Sequence, residues 1–190
     1  MKMFLSILTL LVALKSLSQT IEDKKGYIGI TLGPAFPLAD IKDKGDGGTG
    51  LNINLVNFGY TFGKNIGISA LWSGGAHLSK SLQEDAISSY GTLLIGPLYR
   101  IPITEKSHIH VKAMIGSVYS AFEYKFEVSR AEIQSLSIGY SFGAVYTYSF
   151  SKNWCLMLNT DYLSAKSSLF VDNGKIAAIN VNAGVGFRLK

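Results

Sequence analysis

Cysteine occurs once in the 190 residues, at Cys155. A single thiol excludes an internal disulfide, so an exported chain of this composition needs another clamp. A closed, hydrogen-bonded barrel would supply one. Cys155 itself sits in a strand-like pattern and reads as a packing residue. Long apolar runs are also missing. The run from Phe4 to Leu14 spans eleven residues, whereas a membrane-spanning helix needs about 20. After Gln19 no stretch has the period of a long amphipathic helix. Charge is sparse as well, at 16% Asp, Glu, Lys and Arg, with a net charge of +5 spread along the chain. Nothing in that spread forms a basic patch, and no nucleic-acid partner is expected.

The first residues, MKMFLSILTLLVALKSLSQT, combine Lys2, the apolar run, and Ser16 and Ser18 at the minus-three and minus-one positions of a cut before Gln19. This is the pattern of a secretory signal peptide. It predicts a leader over 1–18 and a single mature domain over 19–190. No cysteine follows the cut, so a lipid anchor is not indicated. Loss of Lys2 and Lys15 leaves 16 Lys plus Arg against 13 Asp plus Glu, a net charge of +3.

What the chain does have is a period of two. In QSLSIGYSFGAVYTYSF, residues 134–150, Leu136, Ile138, Tyr140, Phe142, Ala144, Tyr146, Tyr148 and Phe150 alternate with smaller, mostly polar residues. Alternation of this kind is an extended strand with two unlike faces. Seven further runs share it, beginning near Ile28, Leu51, Ile66, Thr92, Ile109, Trp154 and Ile179. In the second run the phase flips after Leu55, so that Val56, Phe58, Tyr60 and Phe62 continue the apolar face. Either a β-bulge lies there, or residues 51–55 rise above the membrane.

Tight turns are expected at Gly63-Lys64, at Thr104 to Lys106 and at Ser151 to Asn153, and long charged connections at 37–49, 75–88, 122–133 and 164–175. Short turns at one end and long loops at the other describe an outer-membrane meander. Aromatic residues mark the strand ends. Phe62, Tyr99, Tyr148, Phe150, Trp154 and Phe187 lie near the turns, and Phe36, Trp72, Tyr119 and Tyr162 near the loops. Two such belts suit two membrane interfaces. The small polar face carries too little charge to coat a soluble protein. The expected fold is therefore all-β: an eight-stranded antiparallel up-and-down transmembrane β-barrel, preceded by a cleaved signal peptide.

The segment GPLYRIP at 96–102 and the ending NAGVGFRLK resemble the small OmpA/OmpX-type outer-membrane barrels, especially the PorT-like "outer membrane protein beta-barrel domain" family. The resemblance covers the mature chain in layout. It implies that Asn182, Gly184, Phe187 and Leu189 form a C-terminal signal read by the barrel assembly machinery. It further implies an accessory role in envelope biogenesis or secretion.

Candidate chemistry is thin. His108 and His110 share a strand face, but two ligands make an incomplete zinc site. His77 enters a loop with Ser79, Ser81, Glu84 and Asp85, the kind of rim where a barrel enzyme acting on lipid A would place its groups; sequence proximity alone does not make a triad. Asp40, Asp43 and Asp46 in DIKDKGDGG only faintly match a calcium loop, and Lys42 and Lys44 stand where oxygen ligands belong. No metal, no cofactor and no enzymatic activity are expected. Inward-facing Arg100, Lys112, Asp161 and Arg188 are expected to pair in a lumen network, because eight strands leave no open pore for a selectivity filter. The functional surface is then expected in the loops, foremost FEYKFEVSRAEIQ, with Phe122, Tyr124, Phe126 and Arg130. Its two readings are a free strand edge open to an incoming chain and a hairpin paired with the start of strand six. The protein is expected to be a monomer in contact with outer-membrane lipid and with an unidentified protein at its loops; alternatives are a rim enzyme or a small pore. N-terminal sequencing of the membrane-extracted protein should return Gln19; a sequence beginning at Met1 would refute the leader.

Overall fold

A computed structural model describes residues 24–39, 48–80, 85–125, 130–167 and 174–190. The expected leader and the Asp40–Asp46 loop lie outside them. Eight strands follow in chain order: β1 (Gly26–Ala39), β2 (Gly50–Thr61), β3 (Ile66–Lys80), β4 (Asp85–Pro102), β5 (Ser107–Lys125), β6 (Arg130–Ser149), β7 (Trp154–Lys166) and β8 (Lys175–Leu189). Each pairs antiparallel with its sequence neighbours, and β8 returns to β1 from Gly26↔Leu189 to Ala39↔Ile176, closing the barrel.

The turns follow from their residues. Gly63 has φ 86°, a left-handed conformation that glycine adopts without penalty, and Phe62 N–H donates to the Ile66 carbonyl across that turn at 2.7 Å. In the next turn Thr104 Oγ1 accepts from the amides of Lys106 and Ser107. In the third, Ser151 Oγ accepts from the Asn153 amide.

The phase flip in β2 is a bulge. Pairing with β1 and with β3 both shift by one residue at Leu55–Val56, where two residues of β2 oppose one on either side. Residues 51–54 therefore stay inside the ladder, with Asn52 and Asn54 buried in the lumen and Leu51 and Ile53 outside.

Two expectations change. The charged segments at 75–88 and 122–133 are not mainly loop. β3 and β4 continue pairing to Lys80↔Asp85, and β5 and β6 to Lys125↔Arg130. β4, β5 and β6 thus run to 18, 19 and 20 residues, against 12 to 14 in β1, β2 and β7. The lumen is also less polar than the small inward residues suggested. Leu71, Tyr90, Leu94, Met114, Val118 and Leu163 form one buried cluster, and Tyr27, Leu98, Val145, Cys155 and Met157 another. A barrel of eight strands must be filled by side chains, and here bulk faces glycine. A Cβ on Gly59 would stand 2.7 Å from the Tyr27 ring and 2.8 Å from Leu98, and one on Gly75 would overlap the Tyr90 ring.

The exterior reverses the rule for water-soluble proteins. Ile30, Leu32, Leu93, Ile95, Ile115, Phe142, Leu156, Leu158 and Val185 all face outward and are exposed. Trp154 and Tyr162 bound a nine-residue span of the outward face of β7, which matches the 9–11 residues of a tilted strand crossing hydrocarbon. This is a transmembrane surface. Leu158→Arg, near the middle of that face, should lower folding stability in bilayers by about 2–4 kcal/mol. Urea titration in lipid vesicles measures it; a neutral result would mean that this face meets water.

Candidate functional site

Alternation aims one residue in two at the lumen, and closure then brings together side chains from strands that are not neighbours. Asn57 of β2, Lys112 of β5, and Asn159 and Asp161 of β7 meet in mid-barrel. Lys112 Nζ lies 3.2 Å from Asp161 Oδ1 and 3.4 Å from Asn57 Oδ1. Asn57 Nδ2 donates to Asn159 Oδ1 at 3.3 Å, and Asn159 Nδ2 to Asp161 Oδ2 at 2.7 Å. The four residues form a ring in which each polar group leans on the next. All are buried, so the ion pair offsets a desolvation penalty that neither charge would survive alone.

A second group lies nearer the loop end. Tyr90 O–H donates to Asn180 Oδ1 at 2.7 Å, Asn52 Nδ2 donates to Tyr90 Oη at 3.3 Å, and Asn182 Nδ2 donates to Asn52 Oδ1 at 2.7 Å. His77 stacks on Tyr90 with ring centroids 6.0 Å apart, and its Nδ1 lies 3.2 Å from the Gly48 carbonyl. That placement makes His77 part of the lumen filling. Ser88 is its cross-strand partner. Of the acids and hydroxyls that follow it in the sequence, Ser81 and Glu84 lie outside the described residues.

Arg100 and Arg188 sit apart from the Lys112–Asp161 ring, at the turn end. There they line a narrow cavity with Lys24, Tyr27, His108 and His110. The Arg100 guanidinium donates to His108 Nε2, so that ring nitrogen acts as an acceptor. The rings of His108 and His110 are 6.2 Å apart. Among the described residues no group of three or more His, Cys, Asp or Glu is gathered for a metal. Sequence reasoning missed Lys24 and Tyr27. Tyr27 could have been found, because it is one step out of phase with outward-facing Ile28.

At the C-terminus, Asn182 faces inward, while Phe187 faces outward and packs edge-on against Trp154 with centroids 5.6 Å apart. A Cβ on Gly184 would run into the Ile30 carbonyl of β1. Leu189 pairs with Gly26 at the seam.

The segment 122–133 is largely a hairpin. Phe122 pairs with Ile133 and Tyr124 with Ala131, and Arg130 opens β6 opposite Lys125; Phe126 lies outside the described residues. The other side of β5 is occupied too, by β4 as far as Ala86↔Tyr124. A free edge on the extended β5 is therefore ruled out: both its neighbours rise with it. On β6, however, the ladder with β7 begins only at Gly139↔Ala165. Leu136 and Ile138, just beyond it, are 74% and 76% exposed, more than any other large apolar residue described.

No protein-family model matches the sequence, and no curated protein is significantly similar to it. Solved structures share the fold. Ail, the attachment invasion locus protein of Yersinia pestis, is 18% identical with a TM-score of 0.56, over 88% of this chain and 100% of that one. Neisserial surface protein A is 14% identical with a TM-score of 0.56, over 86% and 97%. A major outer membrane protein of Thermus thermophilus is 15% identical with a TM-score of 0.51, over 88% and 100%. The chain has the architecture of the small outer-membrane barrels.

The mid-lumen ring makes a specific demand. Asp161→Leu should cost about 3–5 kcal/mol, because it leaves Lys112 charged and buried; adding Lys112→Met should recover most of the loss. A double-mutant cycle by urea unfolding measures the coupling, and simple additivity would show that the pair does not act as a unit.

Proposed function

We propose that this chain is exported by its leader to the outer membrane and acts there as a monomeric interaction protein, with recognition at the loop end. The observation that carries this reading is the extension of β3 to β6 past β2 and β7 at the loop end, which leaves Leu136 and Ile138 exposed where β6 outruns β7. The lipid face is generic and the lumen is packed with side chains, so specificity has to come from what projects beyond the membrane. The Yersinia pestis barrel has been solved with the heparin analogue sucrose octasulfate, an example of a barrel of this fold in complex with a ligand.

The layout fits an accessory role in envelope biogenesis or secretion, the role implied by the PorT-like resemblance. Asn182, Gly184, Phe187 and Leu189 would then be the signal read by the assembly machinery, and outer-membrane lipid would surround the apolar belt. An enzyme acting on lipid A at the rim has less support, because His77 is buried against Gly48 and Tyr90.

Replacing residues 123–133 by a tight turn should leave the membrane ladder intact, and the protein should still fold and shift its mobility on an unboiled gel. Cross-linking in intact envelopes should then lose partners that the parent captures. A folded variant that keeps every partner and every envelope phenotype would show that this hairpin is not the functional surface.

A further inference from the structure

We propose that the turn end of the barrel holds an anionic phospholipid, with its phosphate at Lys64 and one acyl chain in a groove on the lipid face. Exposed charge at this end has one predominant sign. Lys25, Lys64, Lys152 and Lys190 are exposed and Lys106 is half-buried, one at each turn or strand terminus around the mouth. Among the described residues of that mouth Glu105 is the sole acid, and no carboxylate pairs with Lys25, Lys64, Lys106 or Lys152. The loop end mixes its signs instead. Lys80 pairs in register with Asp85, and Glu123 and Glu132 stand two residues from Lys125 and Arg130. The lysines of the mouth lie just past the exposed aromatic belt of Phe62, Tyr99, Tyr148, Trp154 and Phe187, at headgroup depth. Short turns face the periplasm, so the leaflet concerned is the periplasmic one.

At one place this basic collar and the lipid face share a site. A depression of about 600 Å³ lies between the first two turns, lined by Lys64, Asn65, Arg100, Thr104 and Glu105 among others. It abuts a groove of about 380 Å³, lined by Ile66, Pro97, Tyr99, Val111, Ala113 and Phe142. Asn65 and Arg100 border the depression and their neighbours Ile66 and Tyr99 border the groove. Where the two join, Asn65 Nδ2 donates to Tyr99 Oη at 3.2 Å. The pairs Ile95↔Ile115 and Leu98↔Lys112 set Pro97 opposite Ala113. These short side chains make a floor between the exposed Ile66 and Tyr99 on one side and the exposed Phe142 on the other. An apolar channel that starts at a polar depression suits an acyl chain below a headgroup. Arg100 is already engaged by His108, so Lys64 is the ammonium offered to phosphate, with Thr104 as a further donor. Charge decides the class of headgroup. A zwitterionic lipid brings no net charge to a mouth ringed by five lysines, whereas an anionic one is drawn to it.

The test is native mass spectrometry of the full mature barrel in nonionic detergent. Phosphatidylglycerol is titrated in, and phosphatidylcholine with the same acyl chains is the comparison. The parent should retain one phosphatidylglycerol roughly tenfold more tightly than phosphatidylcholine. Lys64→Gln should weaken that retention roughly fivefold, the loss of one cation near an anionic headgroup. Ala113→Leu, which fills the groove floor, should weaken it as well. Glu105→Gln should strengthen it, because a like charge leaves the surroundings of the phosphate. Lys166→Gln removes an exposed lysine at the loop end and should change nothing. Lys64, Glu105 and Lys166 are exposed, so their variants keep the test decisive if Ala113→Leu does not fold. Equal retention of the two lipids overturns the site. So does retention that Lys64→Gln leaves unchanged, that Lys166→Gln lowers as much as Lys64→Gln does, or that Glu105→Gln weakens. Retention untouched by a folded Ala113→Leu overturns it too.

Discussion

In hydrocarbon an amide or carbonyl that loses its partner has no water to turn to, and the pairing of β8 with β1 removes the last two open edges of the sheet. The rest of the molecule is arranged around that closure. It forces alternate residues to face lipid or lumen, and it makes the interior a volume to be filled rather than a surface to be wetted. It also restricts where the backbone can be irregular. The Leu55–Val56 bulge keeps both flanking ladders running, only shifted. Pro97 has no amide hydrogen to give. It pairs with Ile68 of β3, and the ladder between β4 and β5 has its gap at Gly96–Pro97, with the same register on either side.

Filling the lumen splits its chemistry into levels. Apolar clusters occupy both halves, and the Lys112–Asp161 ring is set among them. That ring is neutral overall, which suits a site far from water. The turn end is different: Lys24, Arg100 and Arg188 bring their charges to a place where solvent or the chain itself can answer them. Buried charge is tolerated at the mouth more readily than at the centre, because the path to water is short.

The loop end answers to a different constraint. Above the lipid belt, strands are free to end where they choose, and β3, β4, β5 and β6 run on past β2 and β7. Their mutual pairing protects both edges of β5, and Leu136 and Ile138 stand exposed where β6 outruns β7.

A period of two, read along the chain, was enough for the number of strands, for which face is apolar, for the three tight turns and for the two aromatic belts. Those features are local, since neighbouring side chains on a strand must point opposite ways. It also placed Arg100, Lys112, Asp161 and Arg188 in the lumen, but could not say which would meet. Lys112 and Asp161 come from strands that are not adjacent, so their contact depends on the curvature of the closed sheet. The same holds for Leu98 of β4, which looks like an interruption of a polar face until Gly59 of β2 is found packed near it. Whether residues 51–55 bulge or rise, and whether FEYKFEVSRAEIQ is loop or hairpin, turned on register with neighbouring strands. Register is a relation between two segments, so neither segment contains it alone.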